Sequence, residues 1–449
     1  MTTLLARNAD ILVTMDVARR EIQGGGFFAR NGVIEAVGSS ADLPETADKV
    51  IDLSGLIATP GLINTHHHFY QNLTRAVPAG QNATLFGWLH AHYPIWARMG
   101  PDAIRISALV ALAELALTGC VCSSDHLYMF PNGARLDDEI EAAQMIGARL
   151  HAARGAMSIG ESDGGLPPDS LVENEAAILK DSLRAIQTWH DPNPGAMIRV
   201  AVAPCSPFSV SQGLMRDAAM LARDQGVMMH THLAENDDDV AYSRDKFGCS
   251  PGDYAADVGW VGDDVWHAHC VKLDAREIAL FAEHGVSVAH CPCSNMRLGS
   301  GIAPIGAMLR AGVNVGLGVD GSASNDSGHL MNEARQAMLL QRVAHGGDAM
   351  SARTALELAT RGGAKALGRD DLGAIEIGKR ADFAAFKASE LALSGAWDRV
   401  AGLLLAGPLQ AWHTVIEGKF VVHEGQITTI DLPSVLAAHH QISVDLMNG

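Results

Sequence analysis

Cations are scarce in this chain. Lys and Arg together number 33 against 51 Asp and Glu, for a formal net charge of −18. No stretch concentrates the basic residues, so the surface repels phosphate backbones and anionic headgroups, which sets aside both a nucleic-acid and a membrane partner. Long apolar runs are missing too: none approaches the roughly 18 residues that a membrane-spanning helix needs. The first residues, Met1-Thr2-Thr3-Leu4-Leu5-Ala6-Arg7-Asn8-Ala9-Asp10, lack the basic flank and apolar core of a secretory signal. Cysteine is sparse, and its odd count of seven, scattered along the chain, is not a disulfide framework. Cys120-Val121-Cys122 and Cys291-Pro292-Cys293 match no common zinc module, and their apolar neighbours point to buried thiols. These absences describe a reduced, cytoplasmic protein.

What is present is regular punctuation over a length, 449 residues, that can bury a large core and divide into more than one domain. Residues 1–57 alternate short apolar runs (9–15, 25–30, 33–37) with turns such as Asn31-Gly32, which reads as a small β-sheet unit. Residues 370–449 repeat that pattern at 382–386, 412–416 and 420–422, around the turn Glu417-Gly418-Lys419. One composite β-sandwich domain built from both termini is expected. Residues 58–369 have another rhythm. Strand candidates at 119–124, 149–157, 198–204, 227–233, 265–271, 286–290 and 313–320 alternate with helix-compatible stretches at 102–118, 136–148, 173–189, 212–225, 275–284 and 302–311. With the apolar segment before His66 the strands number eight, the arithmetic of a (β/α)8 TIM-like barrel in the α/β class. A doubly wound open sheet is the alternative, and the lack of Gly-x-Gly-x-x-Gly after the early strands counts against it.

In such a barrel the reacting groups sit at the C-terminal ends of strands, and the polar residues of this chain fall there. The first ends Thr59-Pro60-Gly61-Leu62-Ile63-Asn64-Thr65-His66-His67-His68, the fifth His230-Thr231-His232-Leu233-Ala234-Glu235, the sixth Trp266-His267-Ala268-His269-Cys270 and the eighth Gly318-Val319-Asp320-Gly321. Period-two alternation turns His66 and His68 to one side and His67 away. His66, His68, His232 and Asp320 then form three imidazoles and one carboxylate, a set for one catalytic divalent ion, zinc first and iron second, with a position left for water. A buried His bonded to backbone, or an Asp capping a turn, is the plainer reading of each alone. Asp320 neighbours that water and can take its proton. Glu235, three residues past His232, is the second carboxyl, placed to protonate substrate and leaving group, although a helix-start carboxylate would also stand there. His269 could hold the developing oxyanion. His230 and His267 read as core histidines. The fourth strand ends Ala203-Pro204-Cys205-Ser206-Pro207-Phe208, with no Lys to bridge a second metal, so one ion is expected.

These motifs, with Ser294-Asn295 and Leu372-Gly373-Ala374-Ile375-Glu376-Ile377-Gly378-Lys379-Arg380-Ala381-Asp382, resemble the amidohydrolase superfamily over nearly the whole chain. The likeness is to its mononuclear aminohydrolase branch of S-adenosylhomocysteine, guanine and cytosine deaminases and triazine hydrolases. That resemblance implies a distorted barrel with a β-sandwich from both termini, and deamination of an amino-substituted heterocycle. The adenosine-type members carry a His where this chain has Cys205, which speaks against a nucleoside. The stretches 68–76, 85–89 and 154–158 are most similar to 8-oxoguanine deaminases, implying conversion of 8-oxoguanine to urate and ammonia. Guanine, isoxanthopterin or a triazine are the other substrates, and a non-catalytic metal-dependent ring-binding protein is the reading from a different class. A planar oxopurine needs flat apolar walls, for which Phe86, Trp88 and Trp96 are candidates, and polar partners for its edges, for which Gln71 and Arg154 are candidates. Cys205 is placed in the substrate pocket with them, and Asp125 and His126 take supporting places beside it. The expected assembly is a homo-oligomer acting on a small purine-like molecule. A zinc site of the cytidine-deaminase type is disfavoured, because Pro-Cys-x-x-Cys is absent.

Overall fold

The structure, a computed structural model, describes residues 2–407 and 409–449; Met1 and Pro408 lie outside the described residues. Eight parallel strands close into a barrel in chain order: β1 (Leu62–Asn64), β2 (Cys120–Leu127), β3 (Arg149–Ala156), β4 (Ile198–Pro204), β5 (Met229–Leu233), β6 (Val265–His269), β7 (Ser287–His290) and β8 (Asn314–Leu317). Leu317 of β8 pairs with Asn64 of β1, which shuts the ring. Every residue of β2 and β3 is buried, as befits parallel strands with side chains inside and helices outside. The helices begin and end where local chemistry dictates. Ser211 caps Gln212–Gln225, which stops at a left-handed Gly226, and Asp274 forms a capping box with Glu277 at the start of Ala275–His284.

The termini meet in one continuous nine-stranded sheet. Strand Leu56–Pro60 pairs antiparallel with Phe383–Lys387 and parallel with Thr3–Val13, so the two chain ends share hydrogen bonds. This sheet folds back over an apolar cluster of its own that includes Leu12, Phe27, Ala58 and Phe383. One boundary differs from the sequence reading. The apolar segment ahead of Thr59 belongs to the terminal sheet, and the barrel starts only at Leu62. Gly61 makes the change of sheet, because a Cβ there would lie 2.3 Å from Val121 Cγ1. The cysteines are all free thiols, most of them buried, in line with the sequence. Among the described residues no helix is long and apolar enough to cross a membrane.

A long excursion after β1 roofs the barrel mouth with a 3-10 turn, Phe69–Thr74, and the helix Leu85–Trp96. The last helix, Leu432–Asn448, braces it: His439 Nε2 donates to Asn72 Oδ1 at 2.8 Å and Ser443 Oγ to the Leu73 carbonyl at 2.7 Å.

Candidate metal and catalytic centre

Past the end of β1, His67–His68 makes a short parallel bridge with Asp320–Gly321, which ties the first strand end to the last. His66 and His68 face the barrel mouth, while His67 turns away against Phe69. The hydrogen bonds behind the rings set their tautomers. His230 Nδ1 lies 2.8 Å from the Trp266 carbonyl and must donate to it, so His230 Nε2 accepts from His66 Nδ1 at 2.8 Å. His68 Nδ1 donates to the His126 carbonyl at 2.7 Å and His232 Nδ1 to the Cys205 carbonyl at 2.6 Å. All three Nε2 atoms therefore carry bare lone pairs, and they point at one spot. His66 and His68 Nε2 lie 3.2 and 3.3 Å from Asp320 Oδ1, and His68 and His232 Nε2 are 3.1 Å apart. Lone pairs at such distances repel unless a cation lies among them, and His66 Nε2 is buried with no hydrogen-bond partner. Three neutral imidazoles and one carboxylate fit a zinc-like divalent ion. Burial lowers the basicity of all three rings, His232 to about 3, which keeps those lone pairs free at neutral pH.

Glu235 follows β5, and the helix behind it starts only at its own cap, Asn236. Asp239 Oδ2 accepts the Glu235 backbone N–H at 2.8 Å. The Glu235 carboxyl stands 3.7 Å from His269 Nε2 and 3.5 Å from Ser300 Oγ. Burial drives it up to about 7, against the pull of His269. Burial works against a charge on His269, but the carboxylates of Glu235 and Asp320 outweigh it and raise the imidazole above its ordinary value. Asn295 Oδ1 accepts from His269 Nδ1 at 3.0 Å, and Asp320 Oδ2 accepts from Ser294 Oγ at 2.5 Å. Ala234, His269, Cys270 and Asp320 have φ of +52°, +72°, +50° and +60°. Such left-handed, non-glycine conformations cost about 1–3 kcal/mol each and gather where function over-determines the backbone.

Above these groups lies a narrow pocket. Leu85, Trp88, Leu89, Tyr93, Phe208 and Leu298 wall it, with Gln71, Tyr128, Cys205, Ser206 and Ser324 as polar points. Trp88 is pinned by its Nε1–H to the Ala323 carbonyl at 3.0 Å. No Lys or Arg lines it among the described residues. A wider cleft beside the start of β8 is edged by Arg19, Arg361, Lys365 and Arg369, but it lies at the opposite barrel end from the reacting groups, so size alone does not mark the site.

Residues 57–421 match the model of the amidohydrolase family. The chain is 42% identical to an 8-oxoguanine deaminase from Pseudomonas aeruginosa, over 95% of each protein. It is 37% identical to a hydroxydechloroatrazine ethylaminohydrolase from a Pseudomonas species, over 96% of this chain and 93% of that protein. A crystal structure of an atrazine chlorohydrolase from Arthrobacter aurescens complexed with zinc superposes with a TM-score of 0.93 at 35% identity, covering 98% of this chain and all of that one. The chain belongs to the amidohydrolase family. It is an enzyme, a hydrolase of carbon–nitrogen bonds with the barrel and terminal sheet of its solved relatives.

In this amidohydrolase the residues singled out from sequence, His66, His68, His232, Asp320, Glu235 and His269, come together at one mouth. Gln71, Trp88 and Cys205 line the pocket above them. Arg154 does not, and that expectation is corrected. It lies on the outer face of β3, 2.8 Å from Glu173 and 3.1 Å from Asp181 and over the Phe130 ring. Alternation along the strand points it at the helix layer. Trp96 sits behind Trp88 as support, and Phe86 packs on Phe208. His230 is a core histidine as expected, yet it also orients His66. Sequence reasoning missed Tyr93, Tyr128 and Ser206. Tyr128 was accessible, since it follows His126 by two residues at the end of β2. Ser294 and Asn295 were noted as a signature without a role, and the structure supplies one.

Proposed function

We propose that this amidohydrolase deaminates an amino-substituted oxopurine, with 8-oxoguanine as its substrate and urate and ammonia as its products. The supporting observation is a buried carboxyl that keeps its proton near neutral pH, Glu235, facing His269 on the floor of an apolar pocket lined by no Lys or Arg among the described residues. Such a pocket accepts a flat, uncharged ring and offers a phosphate or carboxylate no Lys or Arg to pair with. The likeness to an 8-oxoguanine deaminase across nearly the whole chain agrees with that choice.

His66, His68, His232 and Asp320 would hold one divalent ion, zinc by the nature of the donors and with iron as the alternative. When bound, that ion supplies Lewis acidity and brings the pKa of water toward roughly 7. The chain's own residues do the rest. Trp88 and Phe208 flank the ring, and Gln71 meets its polar edge. Glu235 gives its proton to the ring nitrogen beside the amino-bearing C2 as water adds there, relays to the departing amine the proton that Asp320 drew from the water, and recovers its own from the hydroxyl on C2 as the carbonyl forms. Asp320 takes the proton that water gives up, and His269 steadies the developing negative charge. One water is consumed and one ammonia released for each urate formed.

The test is ammonia release from 8-oxoguanine, guanine, isoxanthopterin and a triazine. The expected outcome is a kcat/KM for 8-oxoguanine at least about tenfold above the others, the scale of a few well-placed pocket contacts. Activity on guanine alone overturns the substrate, and binding of 8-oxoguanine without any turnover overturns the reaction.

A further inference from the structure

Two groups of the proposed centre hang on one carboxylate that the substrate never meets. Glu333 stands on the helix Leu330–His345 and is 1% exposed. Its Oε2 accepts the backbone N–H of Cys293 at 3.1 Å, and its Oε1 accepts from Asn325 Nδ2 at 2.7 Å. Each contact leads to reacting atoms. Cys293 is followed by Ser294 and Asn295 on one short helix, Pro292–Arg297. Ser294 donates to Asp320 Oδ2 at 2.5 Å, and Asn295 accepts from His269 Nδ1 at 3.0 Å. On the other side Asn325 Nδ2 also donates to the Val319 carbonyl at 2.7 Å, and its backbone N–H donates to the Gly321 carbonyl at 2.9 Å. Those two carbonyls bracket Asp320, whose φ of +60° is left-handed.

We infer that Glu333 is a positioning residue, a clamp that sets the orientations of Asp320 and His269 together. The physical case has two parts. A left-handed Asp relaxes unless its neighbours are held, and Asn325 holds both with Glu333 fixing the amide. Ser294 takes up Oδ2 of Asp320, which turns Oδ1 toward His66 and His68. Asn295 fixes the ring plane of His269 so that Nε2 faces Glu235. Both of those side chains ride on a helix of a single turn or so, too short to hold itself in place, and the Cys293 contact anchors its first turn to a long helix behind it. Glu333 touches neither the pocket nor the four proposed ligands, so it acts only through these partners. Outer partners of this kind commonly change metal affinity or activity by about 10–100-fold.

The inference rests on the proposed centre, and its test therefore reads the metal as well as turnover. Glu333→Ala, Glu333→Gln and Asn325→Ala are compared with wild type and with Glu277→Gln. Glu277 is a buried carboxylate outside the pocket lining that accepts two backbone N–H groups, those of Gly252 and Asp274. Zinc affinity is measured by competition with a chromophoric chelator, the ligand field by the visible spectrum of the cobalt-loaded protein, and kcat and KM on 8-oxoguanine. Both Glu333→Ala and Asn325→Ala should weaken zinc binding and lower kcat by about 10–100-fold each, change the cobalt spectrum and leave KM within about twofold. Glu333→Gln, which keeps one acceptor oxygen, should fall between them and wild type, and it carries the test if the alanine variant does not fold. Glu277→Gln should lower only the melting temperature. Glu333 variants that match wild type in zinc affinity, spectrum and kcat, or that lose only thermal stability, overturn the clamp. A wild type that binds zinc but turns over none of the four rings overturns the substrate reading, while shifted zinc affinity in the variants still upholds this one. A wild type that binds no zinc overturns both.

Discussion

Glu235 keeps a proton near neutrality because its burial disfavours the charged form more than the nearby His269 restores it. It is the one acid in the pocket that no hydroxyl or amide holds closely: Ser300 Oγ, its nearest such partner, is 3.5 Å away. Asp320, by contrast, accepts from Ser294 and Ser324. That contrast supports the proposed role of Glu235 as the proton donor. Glu235→Gln, isosteric but unable to give a proton, should lower kcat by about 10²–10⁴-fold while the metal content and the affinity for urate, the proposed product, change little. Steady-state ammonia assays with elemental analysis decide it, and a kcat within threefold of wild type would move the acid elsewhere. At this scale the sequence was informative about residue type and position but not about direction. Arg154 and His232 both stand near strand ends, and only their place in the alternation, fixed by pairing with neighbouring strands, sends one to the helix layer and the other to the mouth.

The element on which the two halves of the fold turn is the short stretch from Leu56 to Asn64. Its first strand belongs to the terminal sheet and its second to the barrel, with Gly61 between them lying against Val121. The demand at Gly61 is one of space, since Cβ would overlap both methyls of Val121. Gly61→Ala should therefore destabilise the fold by about 1–3 kcal/mol, as overpacking of a filled interior does. Adding Val121→Ala should return part of that loss, measured as a non-additive pair in urea unfolding. Additive effects would show that the glycine is needed for another reason. Most helices and strands were legible beforehand, because caps such as Ser211 and Asp274, and apolar runs such as 198–204, are local signals. The sheet to which residues 56–60 belong was not legible. An apolar strand looks the same in either sheet, and only the long-range pairing with Thr3–Val13 and Phe383–Lys387 distinguishes them.

Over the whole molecule, two populations of buried ionisable groups set the pH response. Burial lowers the histidines, His232 and His290 to about 3 and His267 to about 4 among others. It raises Glu235 and Glu333 to about 7 and Asp239 to about 6. A histidine with a depressed folded value loses stability for the fold as pH falls below its ordinary value of about 6.5, since the unfolded chain then binds the extra proton. A carboxyl with a raised folded value contributes stability in full below about 4, and that contribution is lost as pH rises through about 7. The lowered histidines outnumber the raised carboxyls, so the metal-free protein should be most stable near pH 6.5, fall steeply toward pH 5 and fall gently toward pH 8. Melting temperatures of chelator-treated protein across that range test this, and a steady rise from 6.5 to 8 would contradict it. The amino-acid sequence by itself determined the class of fold, the residue types of the centre and the family, because strand rhythm, capping and motif spacing are written locally. Only the tertiary structure decided which side chains share the pocket, that His230 orients His66, and that Glu333 accepts hydrogen bonds from Cys293 and Asn325. Those relations join residues far apart along the chain, and closing the barrel is what brings them within hydrogen-bonding distance.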